Sequence, residues 1–265
     1  MTDRGTSRRI VRPDGATIAF DVAGDGPPLL FLHGLTSRRQ AWEPVTGPLA
    51  SSFTCIRVDL RGHGESGPAP DYAMPALVGD VRAVADQLGV EAPAVVGNSL
   101  GANVAAVYAA LNPASAVVCV GQSLLRFGDF AALVQPFAQD LEGERAMEAV
   151  LEIDRELGLE PFADIEGLER RVLAFPPEVV RGVWAQLLTT PPEQLTTISE
   201  AILPRIEAPL LSLHGAPPPA DYAPWLTRLA PTAEVEVWDG LGHLLHLVDP
   251  PRFAERLRAL LAQPS

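Results

Sequence analysis

The chain contains no lysine; all 20 of its basic residues are arginines. That absence excludes a Schiff-base lysine, a pyridoxal site and a phosphate-loop lysine. Cysteine is nearly absent too. Cys55 and Cys119 fall in strand-like stretches without metal-ligand spacing, and read as small core residues of a reducing compartment. Cationic charge is short: 20 Lys+Arg against 33 Asp+Glu leave −13, so nothing would neutralise phosphates and nucleic acid is excluded as a partner. No apolar run reaches the roughly 18 residues that span a bilayer, so no membrane segment is expected. The first residues, Met1 to Gly5, lack the apolar core of a signal peptide. A soluble cytoplasmic protein is the expectation. Histidine is limited to five, and no two show the i, i+4 ligand spacing with a nearby carboxylate, so neither a metal nor another cofactor is expected. No repeat of solenoid length occurs.

Apolar residues are abundant, at 47% of 265 residues, enough for one large core or one core plus an insert. The apolar run Ala94-Val95-Val96 leads directly into Gly97-Asn98-Ser99-Leu100-Gly101, followed by the small-residue helical stretch Ala102 to Ala110. Strand, tight turn with glycine on both sides of a serine, then helix is the context that gives G-x-S-x-G its meaning. A sharp turn projects the hydroxyl from the top of a sheet. The glycines remove side chains that would clash, and the helix start aims free N–H groups at developing negative charge. Ser99 is thereby the candidate nucleophile.

Three further strand ends carry motifs. Leu29 to Leu32 ends in His33-Gly34-Leu35. Ile56 to Leu60 leads into Arg61-Gly62-His63-Gly64-Glu65-Ser66-Gly67. Val235 to Trp238 is followed by Gly240-Leu241-Gly242-His243. With these four motifs in this order, the chain resembles the α/β-hydrolase superfamily over roughly Arg9 to Leu261. The order Ser99 then His243 is also the order that fold uses.

The strand pattern agrees. Arg9–Val11 and Thr17–Val22 read as a hairpin, and later strands alternate with helices, which implies parallel strands covered on both faces. The expected fold is α/β: a mostly parallel, doubly wound, eight-stranded sheet. Between the sixth strand, Ala116–Val120, and the seventh, Leu210–Leu213, lie about 85 residues with helical periodicity, too long for a plain connection. The resemblance implies a cap there, over the nucleophile. The expected domains are residues 1–121 and 208–265 for the core and Gln122–Glu207 for a helical cap. The cap is rich in apolar residues, among them Leu124, Phe127, Phe130, Phe162, Phe175, Trp184 and Leu187. Their default role is packing the cap on the core. Phe130 and Trp184 are the expected substrate-binding positions.

The resemblance implies the chemistry. Ser99 attacks an acyl carbon, and His243 takes its proton and returns it to the leaving group. His246, three residues on, competes for that role but reads as structural or pocket-lining. His33 is expected to hold the loop after strand three, with His63 and His214 alike in kind. The oxyanion hole would come from the main-chain N–H groups of Leu100 and Leu35.

The third triad member departs from the pattern. Pro218 occupies the usual acid position after strand seven, and Gly121-Gln122 occupies the minority position after strand six. Asp221 is the nearest acid and the tentative third catalytic residue, against a favoured reading as the N-cap of the helix from Tyr222. Asp129 and Asp239 are weaker candidates. Gly121 is the better place to receive an acid if its φ is negative. Three explanations stay open: an acid from an unexpected position, a Ser–His pair, or an impaired chain.

The expected function is a cofactor-independent serine hydrolase of an ester, lactone or related acyl compound with an apolar portion. A serine in place of an aspartate nucleophile disfavours epoxide hydrolysis and haloalkane dehalogenation. Carbon–carbon bond hydrolysis is one alternative, and a binding protein that has lost turnover is another. The expected partner is a small-molecule substrate, and a homodimer stays open.

Overall fold

Eight strands form one sheet in the order β1-β2-β4-β3-β5-β6-β7-β8 in this computed structural model, which describes residues 7–121, 125–142, 148–150, 152–153 and 177–262. The strands are β1 (Arg8–Val11), β2 (Thr17–Ala23), β3 (Pro28–Leu32), β4 (Thr54–Val58), β5 (Ala94–Asn98), β6 (Ala116–Val120), β7 (Leu210–His214) and β8 (Ala233–Val237). β2 runs antiparallel to β1 and β4, and every other pairing is parallel. The expected sheet is therefore present. Its fourth strand lies two residues earlier than Ile56 to Leu60, paired Cys55 to Leu29.

The central strands are continuous apolar runs because both faces are covered. Leu29, Phe31, Val96 and Val118 pack with Trp42, Val45 and Phe253 on one side. Those partners come from the segment leading through α1 (Glu43–Leu49) and from the C-terminal helix at Pro250–Leu261. Leu30, Leu32, Val95 and Val117 pack on the other side with α2 (Met74–Leu88), α3 (Leu100–Leu111) and the helices after β6. Odd and even residues of a strand thus enter different cores, as the period of two requires. The outer strand β8 carries Glu234 and Glu236, which pair with Arg256 at 2.8 and 2.6 Å. Cys55 and Cys119 are free and buried, and burial pushes each thiol up to about 12, so neither is a reactive thiolate.

Between β6 and β7 every described element is helical: α4 (Phe127–Val134), α5 (Ala138–Glu142), α6 (Pro177–Thr189), α7 (Pro192–Ile202) and short 3₁₀ turns. Gln122, Leu124, Phe162 and Phe175 lie outside the described residues. A last helix of this half, α8 (Tyr222–Leu229), follows β7. Among the described residues no helix is long and apolar enough to cross a membrane.

Chain order and strand order reverse at β3. The chain leaves β3 toward β4 and returns on its other side as β5. The loops at the C-terminal ends of β3 and β5 therefore flank a crevice, which is where such sheets bind ligands.

Candidate active site

Ser99 sits between the end of β5 and the first residue of α3 with φ +54°, the one non-glycine residue with positive φ among the described residues. Such a conformation is strained and persists where its surroundings hold it. Here the Ser99 N–H donates to the Val120 carbonyl at 3.0 Å. The turn closes so tightly that a Cβ at Gly97 would collide with the Gly101 backbone, and one at Gly101 with the Leu32 backbone. Both glycines of the motif are required by close approach.

The loop after β3 passes directly over this turn. A Cβ on Gly34 would lie 3.3 Å from the Ser99 Cβ. Two buried histidines hold that loop. The Leu60 N–H donates to His33 Nε2 at 3.0 Å, so the ring proton of neutral His33 sits on Nδ1 and donates to the Gly34 carbonyl at 2.7 Å. His63 Nε2 lies 2.6 Å from the Leu35 carbonyl. Burial keeps both rings below the ordinary histidine range. The expectation that His33 serves the loop is met.

His243 comes from the loop after β8. Its backbone carbonyl accepts from Asn98 Nδ2 at 3.1 Å, and the same amide nitrogen lies 3.2 Å from the Val120 carbonyl. Asn98 is a positioning residue that sequence reasoning missed. Its signal was available: a polar side chain at the end of a wholly buried strand, next to Ser99, needs a partner. The His243 ring is buried, burial lowers its pKa to about 4, and its Nδ1 has no hydrogen-bond partner. It is therefore neutral, the form a general base requires.

His246 neighbours His243 but is turned into the core. Its ring centroid lies 4.3 Å from that of Trp42 and 6.0 Å from that of Phe253, both rings tilted. His214 bonds Ser212 Oγ at 2.9 Å, which in turn meets Tyr222 Oη at 3.1 Å. Burial holds these two rings at about 3 and about 4.

Ser99, Leu100, Leu35, His243, Phe130 and Trp184 all line one cavity of about 540 Å³. That volume suits a small-molecule site. Phe130 and Trp184 meet edge to face at 5.7 Å and form part of its wall. No group of three or more potential metal ligands occurs among the described residues.

The profile of the alpha/beta hydrolase family matches residues 29–256. The chain belongs to that family. A 2-(acetamidomethylene)succinate hydrolase of Mesorhizobium japonicum is 32% identical over 173 residues, covering 63% of this chain and 55% of that protein. An uncharacterised protein of Mycobacterium tuberculosis is 40% identical over 121 residues, 41% of this chain but 36% of that protein. The chain thus spans only about a third to a half of these relatives' length. An esterase from Rhodococcus is 26% identical in structural alignment, with a TM-score of 0.67 and complete coverage of both chains. A thermophilic esterase from Thermogutta terrifontis shares the fold at a TM-score of 0.76 and 23% identity, over 97% of this chain and 98% of that one.

In this alpha/beta hydrolase no carboxylate of the described residues meets His243 Nδ1. Asp221 does not reach His243, which corrects its tentative assignment. Its carboxylate is 74% exposed and pairs with Arg126 at 3.1 Å, while His243 Nδ1 is left unpartnered. Nor does it cap α8: it occupies the N-cap position without a side-chain bond to the helix. Arg126 decides this. It stacks on Trp225 at 4.7 Å and draws Asp221 and Asp129 toward itself. Asp129 is committed to that cluster, and Asp239 Oδ1 accepts from Gly240 N–H. The idea that Gly121 could receive an acid is also corrected, because its φ is +123° and a side chain there is strained. Asp221→Asn is expected to leave ester turnover within about twofold, since an exposed ion pair is worth at most about 1 kcal/mol and lies apart from the histidine. Steady-state kinetics check this, and a tenfold loss would restore Asp221 as the acid.

Proposed function

We propose that this alpha/beta hydrolase cleaves an ester or related acyl bond through an acyl-enzyme at Ser99, with His243 as general base and no carboxylate of the described residues on that histidine. The observation that carries the reading is Ser99 itself, held at positive φ on a turn that faces the same cavity as a neutral, buried histidine. Storing strain in a serine has no packing benefit that would offset its cost, so a functional reason is required.

In the first half-reaction Ser99 Oγ attacks the acyl carbon as its proton passes to His243 Nε2. The charge on the acyl oxygen is met by the N–H groups of Leu35 and Leu100, worth about 3 kcal/mol for each such donor. His243 then protonates the leaving alcohol. In the second half-reaction His243 takes a proton from water, water attacks the acyl carbon, and Ser99 regains its proton. Asn98 holds the histidine loop through its backbone while this occurs. Asn103, one helical turn beyond Ser99, also lines the cavity, and its buried Oδ1 has no hydrogen-bond partner. The missing acid lowers the rate without changing the steps. The rest of the wall is largely apolar, which supports a substrate with an apolar portion. A serine at the nucleophile position supports acyl transfer over carboxylate-driven opening of an epoxide.

A fluorophosphonate tests the reading directly. Stoichiometric labelling is expected, with the adduct on the peptide that carries Ser99 by mass spectrometry. A protein that stays unlabelled, or is labelled on another serine, would sink the proposal and favour a binding role.

A further inference from the structure

The cavity runs along α3. Ser99, Asn103, Val107 and Leu111 all line it. They recur every four residues, which makes one inclined row on a helix surface. From Ser99 to the end of the 12-residue helix that row extends about 18 Å at 1.5 Å per residue. The outer half of that row, Val107 and Leu111, is apolar, and a wholly apolar row, Leu195, Ile198 and Ile202 of α7, lines the same space. The outer end is open: Leu111 is 57% exposed, one of four large hydrophobics so exposed among the described residues. A leucine at that spot has no core to fill, yet it continues the row that begins at the nucleophile. Charge is sparse along the lining. Besides His243 the one ionisable lining residue among those described is Asp71, and no arginine faces the cavity there to pair with an anion.

We infer that this row seats an unbranched, uncharged hydrocarbon chain of about ten carbons, belonging to an ester whose carbonyl meets Ser99. The inference rests on the serine-hydrolase reading above and names its substrate class. An extended ten-carbon chain measures about 12 Å, from C–C bonds of about 1.5 Å. Val107 lies about 12 Å along the row, so the chain's end comes level with it, beneath the Leu111 side chain, which leans back toward the helix N-terminus. The chain belongs either to the acyl group or to the alcohol, and the two share the same contacts.

Two ester series separate these sources: p-nitrophenyl esters from acetate to decanoate, and acetates of alcohols from ethanol to decanol, all below their micellar concentrations. In one series kcat/KM is expected to rise about two- to fourfold per methylene, the worth of burying one such group. That is about fiftyfold or more from butyrate to decanoate, or across the equivalent alcohols. A rise in the first series assigns the chain to the acyl group, and in the second to the alcohol. A profile that is flat or falls beyond four carbons in both series overturns the inference. Val107→Trp fills the row midway and Leu111→Asp places a charge at its outer end. Each should lower the ratio of long-chain to short-chain kcat/KM by about tenfold. Leu111→Asp changes an exposed side chain and keeps the test decisive if Val107→Trp does not fold. An unchanged ratio in a folded variant also overturns the inference. Binding separates this failure from that of the hydrolase reading. Calorimetry on Ser99→Ala with 1-decanol and 1-butanol should show clear preference for decanol. That preference with no turnover in the wild type upholds the chain site and sinks the serine mechanism. Turnover without preference does the reverse.

Discussion

Ser99→Ala is expected to cut turnover of an activated ester by about a hundredfold or more while leaving the melting temperature unchanged. The substitution removes one oxygen from a turn facing a cavity and leaves the core intact. The size of the loss carries information. In a serine protease with a full triad, losing the serine costs about 10⁶ and losing the acid alone about 10⁴, so a pair already lacking its acid has about 10² left to lose. His243→Ala should match Ser99→Ala, and the double variant should be little worse than either, because the two residues act as one unit. A loss near 10⁶ would mean that some carboxylate completes the triad during catalysis. Wild-type turnover in Ser99→Ala would end the proposed mechanism.

The second large effect is on stability in acid. Burial depresses all five histidines, with His214 and His243 at about 4 and His246 at about 3. The unfolded chain binds protons at its histidines below about pH 6.5, while the folded chain keeps these rings neutral. Proton uptake therefore favours unfolding as pH falls from 6.5, and the loss levels off only below the folded pKa values. Each ring held at or below about 4 forfeits about 2 kcal/mol between neutrality and pH 5, so three forfeit about 6 kcal/mol. Set against a typical stability of 5–15 kcal/mol, that is enough to bring unfolding near pH 5. Circular dichroism against pH should show a cooperative transition in that region. The acid limb of activity should coincide with this transition rather than with titration of His243 in the folded state. His246→Phe, which keeps an aromatic ring against Trp42 and Phe253, should move the midpoint to lower pH. A protein fully folded at pH 4 would contradict this account.

Much of the architecture is legible in the amino-acid order. The central strands are read from unbroken apolar runs because helices cover both faces, so burial alone marks them. The amphipathic outer helices and the glycine turns declare themselves by period and by residue type. Strand ends were less legible. β4 begins two residues earlier than its apolar content indicates, because its register is set by pairing with β2 and β3 rather than by its own side chains. Asn98 was passed over because a single sequence does not show that the residue at the end of β5 faces a loop 145 positions away.

The acid is where sequence reasoning failed, for a definite reason. Asp221 stands near the expected place in the chain, and chain proximity was its whole warrant. Which way a carboxylate turns depends on the cations around it, and Arg126 comes from the other side of the helical insertion. The promise of Gly121 likewise depended on the sign of one backbone angle, which neighbouring residues in the sequence do not specify.

By itself, the order and spacing of residues determined the α/β class, the strand–turn–helix around Ser99 and the place of His243 after the last strand. These are local matters: turn sterics, period, and the covalent order of motifs. Tertiary structure alone decided that His243 Nδ1 meets no carboxylate among the described residues, that Asn98 bonds the His243 backbone, and that Asp221 pairs with Arg126. Each depends on how segments far apart in the chain meet, and so on distances that only the folded packing creates.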